Sequence, residues 1–260
     1  MTRIRQRWPR RPKQGGRPLS LCALALLAGL TVAACGGAAG HHANVARSAP
    51  VDVWARATDF VVRVGETPIT AATYNHWMAV GAATVETPTS GGPLPKPVTY
   101  EPPAFKLCVM HLLSTVPKST ATGQLRAKCK TTYDSIQKRI LSFLISGYWL
   151  RAQAAEQHAS VTEGEVRKKF EEEKRASFPT ADSFRRLQEA SRQTVPDLMF
   201  AVETQMLSAK LLTRFTAAHP HEKSEQATIA AFNKSIRSKW TARTDCQPGY
   251  VIPDCKQYKR

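Results

Sequence analysis

The chain has 260 residues, 42% of them hydrophobic, with 37 Lys and Arg against 20 Asp and Glu and a formal net charge of +17. That length allows one domain or two small ones, and the surplus of positive charge points to anionic partners. No Gly-rich phosphate loop, G-x-S-x-G elbow, H-E-x-x-H or Asp-rich calcium loop occurs, which excludes the enzyme classes those motifs mark.

Residues 1–18 carry seven Arg and Lys and no acid, and Leu19 to Ala34 is almost wholly apolar. This charge-then-apolar order predicts a signal peptide over residues 1–34. The apolar run, about 16 residues, falls short of the roughly 20 a membrane-spanning helix needs, so it reads as an h-region that the mature protein lacks. Arg10-Arg11 lacks the usual flanking residues of a twin-arginine signal and reads as ordinary n-region charge. The residues Val32-Ala33-Ala34-Cys35 resemble a bacterial lipobox. That resemblance implies that Cys35 becomes the first residue and carries a diacylglycerol, placing the protein outside the cytoplasm on the cell membrane. Two acyl chains, at about 0.8 kcal/mol per buried methylene, anchor where one would not. The alternative is a soluble secreted protein cleaved nearby, with Cys35 incidental.

Removal of residues 1–34 takes seven of the 37 basic residues and no acid, leaving 30 against 20, a net charge of +10. Export turns the search for an anionic partner from nucleic acid to the membrane surface, wall polymers or acidic polypeptide segments. Four cysteines then remain in the body: Cys108, Cys129, Cys246 and Cys255. An even count in an exported protein reads as two disulfides, and of the three possible pairings proximity favours Cys108 with Cys129 and Cys246 with Cys255. Loop entropy would make each worth about 3 kcal/mol. Zinc is the rival reading, but no Cys-x-x-Cys occurs.

Residues 35–55 read as the lipidated cysteine and a flexible tether, because GGAAGHHANVARSAP offers almost nothing to bury. In "FVVRVGETPIT", Val62 and Val64 alternate with Arg63, and Gly65-Glu66 supplies a turn, predicting a short hairpin-like strand pair. Thr70 can cap a helix over 71–83 with Tyr74, Trp77, Met78 and Gly81 on one face. Six prolines in residues 86–103 predict a long extended loop. Helical pattern resumes over 104–115 and again over 121–158, where Ile136, Ile140, Phe143 and Leu144 follow three- and four-residue steps. Leu141, Ile145 and Trp149 widen that apolar face, so this helix is expected to be the enclosed spine of the core.

Thr162 and Glu165 form a capping-box pattern, and Val161 with Val166 a hydrophobic staple, for a helix over 163–177. A further helix is expected after Thr180, carrying Phe184 and Leu187. Another follows Thr194 and ends near His219-Pro220, with Leu198, Met199, Val202, Met206, Leu212 and Phe215 on one side. The last spans about 224–243. Behind it "CQPGYVIPDCKQY" predicts a disulfide-closed loop whose strand, Tyr250 to Ile252, pairs with Val61 to Val64. The body then divides into residues 56–219 and a C-terminal helix and tail, 220–260, that packs back on it.

No metal or other cofactor is expected. His219-x-His221 sits in a Pro-containing connector without further ligands and reads as solvated, as does His41-His42 in the tether. The charge run Glu171 to Arg175 reads as the wet face of an amphipathic helix, and no sugar cleft supports paired-carboxylate hydrolysis. What remains is a surface argument. Adaptable Met and broad aromatic side chains suit binding of varied apolar segments, and although such residues at helical spacing usually belong to the core, Trp77, Met78, Met199 and Met206 are the candidate client-binding positions.

The order of pieces, "VVRVGETPIT" with Trp77, the Cys108 and Cys129 pair, "ILSFLISGYWLRAQAAEQHASVTEGEVRKKFEEEK", "FPTADSFRRL" and "DLMFAVETQMLSAKLL", resembles the SurA N-terminal-domain-like chaperones and PrsA-type foldase lipoproteins. It covers about residues 58–215, with the tail from Trp240 extending it. The resemblance implies a mainly α fold: a multi-helix cradle with a minor sheet from the chain ends, which holds unfolded exported polypeptides. Many relatives insert a parvulin-type prolyl isomerase domain before the last helix. Here that space is His219 to Ser224, which cannot hold one, so no catalytic residue carries over. The expected function is a membrane-anchored chaperone without its own isomerase domain. The alternatives are an adaptor lipoprotein with one fixed partner and a degenerate prolyl isomerase.

Overall fold

A computed structural model describes residues 60–86, 98–117, 119–220 and 224–259. The signal peptide, Cys35, the tether, most of the Pro-rich loop and His221 lie outside the described residues.

The chain enters through β1 (Phe60–Val64) and β2 (Thr67–Thr70), an antiparallel pair with Val62 opposite Ile69 and Val64 opposite Thr67. Gly65, at φ +56°, makes the reversal that a side chain would strain. Alternation decides the two faces: Val62 and Val64 are buried while Arg63 is exposed. Thr70 then caps α1 (Ala71–Glu86) by accepting the Thr73 N–H at 3.1 Å. α1 runs three residues past its expected end at 83 and packs on α3 (Thr122–Glu156). The approach requires Gly81, because a Cβ there would stand 2.8 Å from Ile136 Cγ2 and 2.9 Å from Ile140 Cγ1.

α3 is the expected spine. Its 35 residues extend about 52 Å at 1.5 Å per residue, and Ile136, Ile140, Leu141, Leu144 and Ile145 are at most 1% exposed. Its amino-terminal part carries α2 (Lys106–Leu113) through the Cys108–Cys129 disulfide and a small apolar cluster with Phe105, Val109 and Leu125. α4 (Glu163–Ser177), α5 (Ala181–Ser191) and the first half of α6 (Val195–Ala218) form a third cluster around Phe170, Phe184, Leu198 and Val202. The second half of α6 and α7 (Glu225–Thr241) join the main core through Leu207, Leu211, Phe232, Ile236 and Trp240. The helix starts follow their caps. Thr162, Thr180, Thr194 and Ser224 each accept a backbone N–H three residues on, and each such cap is worth about 1 kcal/mol.

The fold is mainly helical with one small antiparallel sheet of order β2-β1-β3. Its third strand corrects the sequence reading. β3 is Thr244–Cys246, which pairs Thr244 with Val64 and Cys246 with Val62, whereas Tyr250 to Ile252 lies in a reversal. There the Tyr250 N–H bonds the Gln247 carbonyl at 3.0 Å, Gly249 takes φ +91°, and the Cys246–Cys255 disulfide closes the loop. Tyr250 and Ile252 are buried, but as side chains plugged into the core rather than as a paired strand. At this edge Arg63 and Asp245 pair across the strands at 3.2 Å, and Thr244 is held from within. The Thr244 hydroxyl accepts the Trp149 indole N–H at 2.7 Å and donates to the Trp240 carbonyl at 2.7 Å.

Candidate functional site

An open groove of about 420 Å³ lies where α3, the start of α4 and the first turns of α6 meet. Val161, Val166, Pro196, Met199 and Phe200 provide its apolar lining, and Arg151, Glu163, Arg167 and Glu203 its charged one. The caps position both flanking helices. Thr162 with Glu165 starts α4, and Thr194 with Asp197 starts α6, so Met199 and Phe200 fall one turn inside a fixed helix origin.

Phe200 crosses the face of α3 where Gly147 leaves room, since a Cβ on Gly147 would stand 2.6 Å from the Phe200 ring. The ring joins a chain of aromatics: Phe143 at 5.6 Å between centroids, Trp77 at 6.1 Å and Tyr148 at 6.2 Å. Over it lies the Arg151 guanidinium, 4.6 Å from the ring centre, a cation on an aromatic face. Arg151 also forms a two-pronged pair with Glu203, with Nε donating to Oε1 at 3.1 Å and Nη2 to Oε2. Both partners are part-exposed, so the pair orients the wall more than it stabilises the fold. At the rim Glu163 and Arg167 pair one helical turn apart at 2.6 Å.

The amino end of α6 is fixed by one carboxylate. Asp197, 9% exposed at its side chain, accepts the Thr194 N–H and hydroxyl at 2.7 Å each and contacts His76 Nε2 at 2.8 Å, tying α1 to the start of α6. Near the start of α1, beside Tyr133 and Tyr250, burial pushes the Tyr74 phenol far above its usual range.

Of the candidate client-binding side chains, Met199 lines the groove. Trp77 is 4% exposed and belongs to the main core. It lies beneath the groove, against Phe200. Met78 packs part-buried on the same core, and Met206 on the α4–α6 cluster. Phe200, Gly147 and the Arg151–Glu203 pair were not singled out from the sequence. The available signal was charge: Arg151 and Glu203 each interrupt an otherwise apolar helical face. His76 with Asp197 left no such trace, since the two are 121 residues apart.

The charge run on α4 also needs correction. Glu173 is 8% exposed and turned inward, paired with Lys169 at 3.3 Å, while Glu172 and Arg175 remain wet. His219 stacks on Phe215 at 4.0 Å and contacts the Phe215 carbonyl. Among the described residues no group of three His, Cys, Asp or Glu could hold a metal ion, and no helix is long and apolar enough to cross a membrane. Comparisons with protein-family models, with curated proteins and with solved structures find no match to this chain.

Proposed function

We propose that the protein is a membrane-anchored, extracytoplasmic chaperone that binds unfolded exported polypeptides in the groove between α3, α4 and α6, without a prolyl isomerase domain of its own. The observation that carries the reading is the groove's composition. A polarizable Met199 and the edge of an aromatic cluster lie at a solvent-open floor, bordered by charges of both signs. Such a surface takes varied apolar side chains while its rim holds polar backbone and flanking charge. It also sits where two apolar clusters meet along α6. Binding and release would follow from weak apolar contacts alone, with no nucleotide.

The test is suppression of aggregation of several unrelated reduced, unfolded proteins at stoichiometric amounts of this chain. Suppression that Met199→Glu weakens supports the reading, and failure with every client removes it. Crosslinking in cells separates it from the adaptor reading: many clients argue for a chaperone, one dominant partner for an adaptor.

A further inference from the structure

Away from the groove, α2 carries an apolar face that the fold leaves uncovered. Cys108 and Val109 turn into the small cluster on α3, while Leu107, Met110 and Leu113, spaced three apart, are 48%, 58% and 43% exposed. They make up three of the five large hydrophobic side chains exposed among the described residues. Scattered single apolar residues need no explanation, whereas three on one eight-residue helix do.

The surroundings are cationic. Lys106 lies on the same helix, and Arg126, Lys128 and Lys130 are exposed on the stretch of α3 that the Cys108–Cys129 disulfide joins to α2. The nearby acids are two. Glu101 accepts the Leu107 N–H at 2.6 Å, and Asp134 is paired with Lys130. Lys106, Arg126 and Lys128 therefore keep their charge without a carboxylate partner among the described residues. We propose that this helix is a shallow docking surface for an anionic lipid bilayer, with Leu107, Met110 and Leu113 entering the headgroup boundary and Lys106, Arg126 and Lys128 meeting lipid phosphates.

Two arguments favour the bilayer over a protein partner. Three side chains fall well short of the about 800 Å² per partner that a stable protein interface buries. A bilayer needs no fixed complementary shape, and combines shallow apolar insertion with attraction of cations to anionic headgroups. The disulfide and the cluster beneath hold the helix rigid, so its apolar face is presented without a folding cost at the membrane. The surface is distinct from the polypeptide groove, and either reading can fail alone.

Peroxide oxidation of methionine in the full chain, read by peptide mass spectrometry, tests the proposal. Met78 and Met206, part-buried in the fold, serve as references within the same molecule. Vesicles of phosphatidylglycerol with phosphatidylcholine should slow Met110 oxidation by about fivefold relative to those references, as burial at the headgroup boundary requires. Vesicles of phosphatidylcholine alone should not. High salt, or Lys106→Gln with Arg126→Gln and Lys128→Gln, should restore the fast rate. An unchanged rate on anionic vesicles overturns the proposal, as does equal slowing on neutral ones. Slow oxidation of Met110 in the chain alone would show that another part of the chain or a second copy covers the face. Slowing by an acidic unfolded polypeptide in place of vesicles would assign it to clients instead.

Discussion

Replacing Thr244 by Val tests whether the C-terminal strand is held from within. The side chains have the same shape, so no cavity opens, yet the hydroxyl that joins Trp149 to Trp240 disappears. Thr244, Trp149 and Trp240 are 0%, 4% and 3% exposed, so water cannot replace it. The Trp240 carbonyl still accepts the Arg243 N–H at 2.9 Å, which leaves the Trp149 indole N–H as the stranded group. A buried unsatisfied donor costs about 1–3 kcal/mol, and with the second bond lost the expected destabilisation is about 2–3 kcal/mol. For a body of this size that lowers Tm by about 5–10 °C. Urea unfolding followed by far-UV circular dichroism should show a lower midpoint with an unchanged slope. Trp149→Phe in the same background removes the donor, so the double variant should cost about 1–2 kcal/mol less than the sum of the singles. A Thr244→Val protein within about 0.5 kcal/mol of the parent, or a strictly additive cycle, would refute the reasoning.

Met199→Glu should lower the melting temperature modestly, because Met199 also packs part-buried on the α4–α6 cluster, while weakening client binding about fivefold, the equivalent of about 1 kcal/mol of lost apolar burial, measured by aggregation suppression and by fluorescence titration of an unfolded client at a temperature where the variant is folded. Gly81→Ala places a Cβ within 3.0 Å of three side-chain atoms of Ile136 and Ile140, both almost fully buried. Overpacking of about 1–3 kcal/mol should exceed the helix-propensity gain of about 1 kcal/mol, so the urea midpoint falls, and a rise would show that the two helices can move apart freely. Asp245 is held below the usual carboxylate range by Lys256 first, then by Gln257 and Arg63. Its folded pKa lies under the unfolded value, so its contribution is present above about pH 4 and fades as pH falls through the folded pKa. Asp245→Asn should therefore be slightly less stable than the parent at neutral pH and equal to it near pH 2. A difference that grows on acidification would reverse the sign of that linkage.

The groove illustrates where sequence reading runs short. Met199 was visible because a thioether on an amphipathic helix stands out. Phe200, one residue on, was not, because its role depends on a glycine 53 positions earlier that lets its ring lie across α3. Trp77 shows the opposite case. Its residue type suits binding, but α1 turns that side chain toward Phe143, 4.8 Å away, and closes it off.

Local chemistry alone decided most of the secondary structure. A hydroxyl followed three residues later by a carboxylate or hydroxyl starts α4, α5 and α6 at the residues expected, because capping satisfies donors within one turn and needs nothing from the rest of the molecule. The pairings of the four body cysteines were likewise close enough in sequence for proximity to choose them. Tertiary structure decided which C-terminal residues form the third strand. Both Thr244–Cys246 and Tyr250–Ile252 bury alternate side chains, and the Thr244 hydroxyl, besides its bond to the Trp240 carbonyl four residues back, accepts the indole N–H of Trp149 from 95 residues away, which no local pattern contains. It also decided the groove, whose walls come from three helices that the main core and the α4–α6 cluster hold together. Periodicity reports which face of a helix is apolar; what that face meets is settled by long-range packing.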